Sequence, residues 1–520
     1  MSVPFPQTFQ TKDSISLIHL KEIKLLHGLF GVLIILVCLN ALAGTVADPD
    51  LWGYLAFGRV FWETGRFPYH DLFAYVPTLD VWVYHEWLTG VLLYPVYHAL
   101  GAPGLQAVKF ALGMTTVLLT YLTARRRGAN FWSALLGLWC IQPLLVTGYS
   151  PVRAQLFTYL FFALSLYILE GARLSGRWRS LVVLVVIQIF WCNVHGGFLA
   201  GLGLLALYGL GEAISRRPWR PYLLALAAAS LMTLINPYGL EYWQYLFRAV
   251  TMPRPEVTEW ASVLQAWQAG VPRGPIIFFV SLATVAVLLA VWAKWREITP
   301  ALVLGLTLYL GLKHLRHQVF FLLAVGAYLP VLMEALGKRI RSSPPLDSWK
   351  LPLGRLIPVT LALAGILIYG YKFLSKDPLT LKLPIRPDPS GVAGIHYPVA
   401  AVEFLQKNHL SGKILNGFNW GEYLIWSLYP SCRVAMDGRF ETVYGDDLCR
   451  LHSEFYYGRP GWRKFLEQFP PDFILVDPRS QVYALLKDAP DWLQIYGDAG
   501  CALFQPRMAT SKLAPFSAGK

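Results

Sequence analysis

Apolar runs of roughly 15–20 residues recur along the chain with short polar segments between them. They fall at 25–44, 104–124, 131–147, 154–170, 181–193, 198–214, 222–235, 275–292, 300–312, 319–336 and 356–373, and predict about eleven membrane-spanning helices. The polar segments alternate in kind. One set is basic: Arg125 to Arg127, Arg173 to Arg179, Arg216 to Arg220, Lys294 to Arg296 and Lys338 to Arg341. The positive-inside rule places these in the cytoplasm. The other set is short and chemically mixed: GYSPVR ending at Arg153, NVHGG with Asn193 and His195, NPYG from Asn236, and KHLRH with Lys313, His314, Arg316 and His317. All of these fall on the outer face, together with a long first loop at 45–88. The alternation holds only if 87–100 is not a crossing. That stretch is short for a bilayer and carries Tyr94, Pro95, Tyr97 and His98, so it reads as a re-entrant or interfacial amphipathic helix.

The ends of the chain change character. Residues 1–24 are polar, with Lys12, Lys21 and Lys24 ahead of the first run and no small-residue cleavage site. They predict a cytoplasmic N-terminus followed by a retained signal anchor. The spanning region, 25–373, gives way to a proline-rich linker at 374–395, a domain at 396–507 and a tail at 508–520. In that domain a helix is predicted at 399–407, strands at 413–416, 433–436 and 473–476, and a hairpin at 492–504, which together describe a small α/β domain on the outer side. The expected fold is a polytopic α-helical membrane protein with a C-terminal extracytoplasmic α/β domain, seated in the cytoplasmic (inner) membrane.

Composition agrees: of 520 residues, 55% are hydrophobic and 15% charged. A net charge of +14 would point to nucleic acid in a soluble protein. Here the cations sit in loops between apolar runs, so no nucleic-acid partner is expected. Cys38, Cys140 and Cys192 lie in apolar runs as small hydrophobes. Cys432, Cys449 and Cys501 share the outer domain, where one disulfide could form. No CxxC or HxxxH metal spacing occurs.

Ionisable groups at membrane depth or at its outer mouth are costly, which makes them candidates for function. Asp48 and Asp50 flank Pro49 just past the first run, and His85 and Glu86 close the same loop. Asp48 and Asp50 read either as solvated helix-end or turn residues, or as a general base and its orienting partner. Arg153, Lys313, Arg316 and His317 are outward-facing cations or donors that suit a lipid phosphate or pyrophosphate. Asn193 and His195 read equally as substrate contacts or as hydrogen bonds between helices. NPYG reads as a helix stop. The longer outer loop from Trp243 to Gly274, with Glu256 and Glu259, is proline-rich and reads as a mobile lid. A divalent cation bound by His85 and Glu86 with Asp48 or Asp50 would be Mg2+ or Mn2+, but nothing in the spacing requires one.

The stretch DPDLWGYLAFGRVFWETGRFPYHDLFAY…WVYHEWL, continued by RAQ from Arg153, NVHGG, NPYG and the Arg316-His317 pair, resembles the GT-C superfamily of membrane glycosyltransferases. Within it, the chain is similar to bacterial proteins of the protein mannosyltransferase and lipopolysaccharide core galacturonosyltransferase kind. The resemblance implies a sugar donor on a polyprenyl phosphate, transfer on the outer face of the membrane to a glycan, lipid or protein hydroxyl, and a first-loop aspartate as base. That role maps to Asp48 or Asp50. In the outer domain, NWGEY at 419–423 and MDGR at 436–439 are similar to the WWDYG segment and downstream Asp-Gly of oligosaccharyltransferase catalytic subunits. The single Trp and the Glu depart from that pattern, and the segment reads as a buried structural turn. The competing functions are a transporter or flippase of a lipid-linked glycan, which the near absence of mid-span charge disfavours, and a non-catalytic membrane scaffold.

Overall fold

In a computed structural model, residues 10–149, 151–252, 258–341, 352–387 and 395–507 are described. The helices of the first part are α1 (Gln10–Leu42), α2 (Pro49–Thr64), α3 (Trp87–Arg126), α4 (Phe131–Tyr149), α5 (Gln155–Ser175), α6 (Leu181–Val194), α7 (Leu199–Ile214), α8 (Arg220–Met232), α9 (Leu240–Thr251), α10 (Val263–Gln268), α11 (Arg273–Trp292), α12 (Ile298–Lys313), α13 (Gln318–Arg341) and α14 (Pro352–Leu374). Among the described residues, seven helices are long and apolar enough to cross a membrane: α1, α3, α5, α13, α14, α11 and the helix ending at Ile214. The shorter apolar helices α4, α6, α8 and α12 fill the remaining apolar runs of the sequence. The protein is a multi-pass membrane protein, and its eleven apolar runs are eleven helices.

The stretch 87–100 is the first limb of α3. The helix breaks at Gly101, where φ is +61° and ψ is −150°, a conformation that glycine alone adopts readily. Pro95 and Pro103 flank the break. The first limb lies along α2, tied by the Trp62 indole donating to the Val91 carbonyl at 3.0 Å and by the Tyr94 hydroxyl donating to Glu63 at 3.4 Å. The second limb enters the bundle. At about 1.5 Å per residue the first limb alone falls short of the roughly 30 Å hydrocarbon core.

Three helices lie in stretches that read as loops: α2, α9 and the short α10. α2 begins with Asp48 as its N-cap and Pro49 in its first turn, and it ends at Gly65 in the left-handed region. α9 occupies the start of the Trp243 loop and buries Tyr242, Tyr245, Leu246 and Ala249 along one face. Glu256 lies outside the described residues.

The C-terminal domain consists of α15 (Val399–Lys407), β1 (Gly412–Asn416), α16 (Gly421–Leu428), β2 (Cys432–Val434), α17 (Asp446–Tyr456), α18 (Arg463–Gln468), β3 (Phe473–Val476), α19 (Gln481–Asp488), β4 (Trp492–Gly497) and β5 (Ala502–Pro506). The sheet order is β2-β1-β3-β5-β4. β1 runs parallel to both β2 and β3, and the β4–β5 hairpin closes the other edge antiparallel. Among the described residues no disulfide joins the cysteines, so the one considered for the outer domain is absent. Cys432 and Cys501 are small buried residues of this core.

One apolar cluster fills the helix bundle. A second joins the first loop to the C-terminal domain, with Leu51, Trp52, Leu55 and Phe57 of α2 packed among Trp420, Leu424 and Ile425. The loop also extends the sheet: Ala74 pairs with Val434, with Tyr75 N donating to the Val434 carbonyl at 3.1 Å and Val434 N to the Phe73 carbonyl at 3.0 Å.

Candidate active site

The N-terminus of α2 sets the site. Asp48 is buried, and its carboxylate accepts from Asp50 N at 3.1 Å, as an N-cap does. Asp50, in the first turn, points outward. The Asp48 side chain is 7% exposed and that of Asp50 30%, so Asp50 is the carboxylate a second molecule can meet.

Both converge on Arg153, which the SPVR segment brings in ahead of α5. The guanidinium donates from Nη2 to Asp50 Oδ2 at 2.8 Å and from Nη1 to Glu259 Oε1 at 2.6 Å. Its Nε lies 3.3 Å from Asp48 Oδ1, an ion-pair distance without hydrogen-bond geometry. Three carboxylates thus share one cation. Burial pushes Asp48 up to about 7 against the pull of Arg153, with Asp50 and Glu259 adding to the rise. Burial also acts to raise Glu259, but Arg153 and then Arg316 hold its carboxyl below the usual range.

Glu86 and the two histidines form the next layer. Glu86 Oε1 lies 3.4 Å from His195 Nε2 and 3.6 Å from His85 Nε2. His195 Nδ1 accepts from Gly197 N at 2.8 Å, which leaves the ring proton on Nε2, facing Glu86. Burial, then Arg316, holds His195 well below the ordinary imidazole range. Burial, then the Asp50 charge, pushes Glu86 up to about 8. His85 stacks on Tyr245, whose hydroxyl lies 3.3 Å from His85 Nδ1 and 3.4 Å from Glu441 of the C-terminal domain.

The remaining sequence candidates divide. Arg316 lies 4.8 Å above the Trp260 ring and has no carboxylate within ion-pair distance among the described residues. His317 packs against Trp260 and His314, and its Nδ1 is buried with no hydrogen-bond partner among the described residues. Lys313 is exposed in the last turn of α12. Asn193 has both ends of its amide in helix contacts: it donates to the carbonyls of Ile189 and Ile235 at 2.7 and 2.8 Å and accepts from the Trp87 indole at 2.8 Å. It therefore fixes the start of α3 rather than facing open space. Among the described residues no group of three or more His, Cys, Asp or Glu side chains is placed to hold a metal ion. Of the carboxylates considered for one, Asp48 and Asp50 lie at Arg153 and Glu86 at His195 and His85.

The C-terminal domain closes the site from above. Glu422 Oε2 accepts from Gly53 N at 3.1 Å. Burial, then the charges of Asp50 and Asp437, pushes its carboxyl well above the ordinary range. The two halves approach closely at Gly53, where a Cβ would lie 2.4 Å from Glu422 Oε2, and at Gly438, where one would lie 3.2 Å from Asp50 Oδ1. Glu259, Glu422 and Gly438 are the site residues that sequence reading left aside. The available signals were an acid beside an outer-face Trp, and the NWGEY and MDGR motifs themselves.

From Trp260 the chain passes through Ala261, whose carbonyl accepts from Leu315 N at 3.1 Å, into the capping box Ser262–Gln265 that starts α10. There α10, α11 and α12 enclose an apolar groove of about 610 Å3 lined by residues including Val263, Leu264, Trp267, Ile276, Val280 and Leu312.

No protein-family model and no curated protein matches the chain. Among solved structures it is similar to ArnT from Cupriavidus metallidurans in the apo state, with 14% identity over 92% of this chain and 97% of that one and a TM-score of 0.56. It is likewise similar to the same protein bound to undecaprenyl phosphate, with 13% identity over 92% and 97% and a TM-score of 0.53. The Archaeoglobus fulgidus oligosaccharyltransferase tethered to an acceptor peptide containing the NVT sequon is also similar, with 11% identity over 87% and 69% and a TM-score of 0.48. The fold is the GT-C-like membrane fold that the first-loop motif implied.

Proposed function

We propose that this protein is a membrane glycosyltransferase that moves a sugar from a polyprenyl-phosphate donor to an acceptor hydroxyl. The observation that carries the reading is the juxtaposition of two unlike parts. Asp50, partly exposed, shares Arg153 with Glu259, and the half-buried Arg316 lies over the ring of the next residue, Trp260, with no carboxylate within ion-pair distance among the described residues; Ser262 and Leu312, close by in the chain, line an apolar groove. A carboxylate alone would fit many hydrolases, and a cation alone a lipid-binding surface. The two together fit a ligand with an isoprenoid tail, a phosphate and a reacting carbon. The complex of ArnT with undecaprenyl phosphate is support of the same kind for a chain of this fold.

In this reading the isoprenoid tail lies in the groove of α10, α11 and α12, and the phosphate rests on Arg316 and His317. The acceptor hydroxyl enters at Gly438 and gives its proton to Asp50 Oδ1. Its oxygen bonds to the anomeric carbon as the bond from that carbon to the phosphate oxygen breaks. The phosphate then carries a second negative charge, which Arg316, and Arg153 behind it, are placed to stabilise; one well-placed donor is typically worth about 3–4 kcal/mol. Asp48 caps α2 and positions Asp50, and Glu86 with His195 shapes the floor. No step is routed through a metal. The end of the bundle bearing the site faces the outside of the inner membrane, in keeping with the basic loops at the opposite end.

The test is transfer in nanodiscs from a radiolabelled polyprenyl-phosphate hexose, followed by release of polyprenyl phosphate. Wild-type protein should release it and Asp50→Asn should not. Equal release by the two, or none by wild type across a panel of hexose donors, overturns the reading.

A further inference from the structure

The C-terminal domain carries a second cavity that the transfer reading does not use. Strand β1 sits between β2 and β3, all three parallel. The chain leaves β1 to one side and returns to its other side, so the order reverses between β1 and β3. In open α/β sheets the crevice beyond the strand C-termini at such a reversal is where ligands bind. A cavity of about 390 Å3 lies at that place, lined by Tyr456, Tyr457, Asp477, Arg479, Ser480 and Gln481.

Its lining is specific in kind. Tyr456 and Tyr457 stand at 88° to one another with centroids 5.9 Å apart, presenting a corner of two aromatic faces. Asp477 and Arg479 are paired, with Nη2 to Oδ2 at 2.8 Å and Nε to Oδ1 at 3.1 Å, so the cavity offers donors and acceptors with no net charge. Ser480 precedes α19 and donates to the Asp477 carbonyl at 2.6 Å. A compensated ion pair disfavours a phosphate. The free edges of the sheet lie at β2 and β4, away from the cavity, and the β2 edge already pairs with Ala74, so a peptide would find no ladder to join. A neutral, polyhydroxylated ring with one apolar face matches aromatic faces beside paired donors and acceptors.

The cavity is wired to the catalytic edge. Tyr456 stacks on His452 at 6.4 Å and 9°, and His452 Nε2 lies 2.8 Å from the Asn416 carbonyl at the end of β1. The Asn416 amide in turn donates to the Met436 carbonyl at 2.8 Å and accepts from Ala435 N at 3.2 Å. Two residues on, Gly438 faces Asp50. The C-termini of β2, β1 and β3 thus form one edge, with Gly438, which faces Asp50, beyond β2 and the cavity beyond β3, strands about 10 Å apart.

We infer that this cavity is a saccharide-binding site that holds the distal part of a glycan acceptor while its growing end lies at Asp50. The inference rests on the transfer reading for the word acceptor; the saccharide site itself stands on the cavity. The full chain in nanodiscs should bind at least one of maltotriose, chitotriose and mannotriose saturably in the millimolar range by titration calorimetry, with the sugar protons in contact by saturation-transfer NMR. Tyr457→Ala and Arg479→Ala, both at exposed side chains, should each weaken binding by about tenfold or more, whereas Tyr457→Phe keeps the ring and the affinity. No saturable binding of any of the three, binding that both alanine variants retain, or displacement by an Ala-Asn-Thr peptide overturns the inference. Donor cleavage in the same preparation separates the two readings. Cleavage without saccharide binding removes this site alone; saccharide binding without cleavage removes the transfer reading and leaves the site.

Discussion

Asp48 and Asp50 are one residue apart from each other across Pro49, yet the helix terminus gives them different work. The cap position turns Asp48 inward, where its carboxylate is committed to a backbone N–H, and the first turn sends Asp50 toward the cleft. Asparagine caps a helix as well as aspartate does. Asp48→Asn should therefore keep transfer within roughly tenfold of wild type, while Asp50→Asn loses about 10²–10⁴-fold, measured as initial rates of donor cleavage. The pH dependence carries its own sign. With burial pushing Asp48 up to about 7, lowering the pH through that value neutralises it and removes one negative charge from around Arg153. The potential felt by a donor phosphate becomes more positive, so donor affinity should rise as pH falls from 8 to 6, by at most about tenfold per unit for one proton. Glu86, pushed up to about 8, adds in the same direction at the alkaline end. Asp48→Asn should flatten the acid half of this profile. Equilibrium binding of a polyprenyl-phosphate analogue across that range decides it, and a profile that rises with pH contradicts the assignment.

At the other end of the bundle the helices are locked by charge. Glu170 of α5 accepts from Arg127 at 2.5 Å and from Arg173 at 3.1 Å, and Tyr208 of α7 donates to it at 2.7 Å. Arg127 also reaches Glu297 at 2.9 Å, Arg173 pairs with the same carboxylate, and Thr299 donates to Glu212 at 2.7 Å. This draws α3, α5, α7 and α12 together. Removing Glu170 leaves two buried arginines to share the half-exposed Glu297, so Glu170→Leu should cost about 3–5 kcal/mol. Arg450→Ala, in an exposed helix pair, should leave the unfolding midpoint close to wild type. Thermal unfolding midpoints in detergent compare the two. These arginines also illustrate what a sequence makes visible. Their place between apolar runs marks a bundle end, but their burial in an ion network depends on Glu170 and Glu297, far from Arg127 in the chain. The spanning helices, the C-terminal strands and the break before 104 were legible because each is a local pattern of apolarity, proline and glycine. α2 was not, since Leu51 to Phe57 are buried on every side and show no polar face. Its cap, Asp48-Pro49, and its stop, Gly65, were the only local signals. Of the site, the odd polar residues at one end of the spans were readable individually. Glu422 was read as part of a turn, because its partner Gly53 is 369 residues away in the chain.

At the scale of the whole molecule, the first loop and the C-terminal domain make one body laid over the bundle. Their shared core and the Ala74–Val434 pairing place Gly438 against Asp50, so the proposed active-site cleft exists only when the two ends of the chain meet. Arg439 is the fastener. Its guanidinium pairs with Asp71 of the loop and with Asp437 of its own domain, and it lies 4.7 Å over the Trp82 ring and 5.0 Å over Phe73. All three ion-pair members are buried, so Arg439→Met would strand two carboxylates from different parts of the chain in an apolar interface. The expected cost is about 3–5 kcal/mol, and the cheapest relief is to part the loop from the domain. Parting them withdraws Gly438 and Glu422 from Asp50. Transfer should therefore be lost while the bundle, held at its far end by Glu170 and its arginines, stays folded. Limited proteolysis separates this from general unfolding: cuts confined to 65–86 with intact bundle fragments are expected for Arg439→Met, and the wild-type digestion pattern for Arg463→Ala, whose ion pair with Asp491 is exposed. An Arg439→Met protein that keeps both the protected loop and full transfer would show that the two ends of the chain do not need each other to build the cleft.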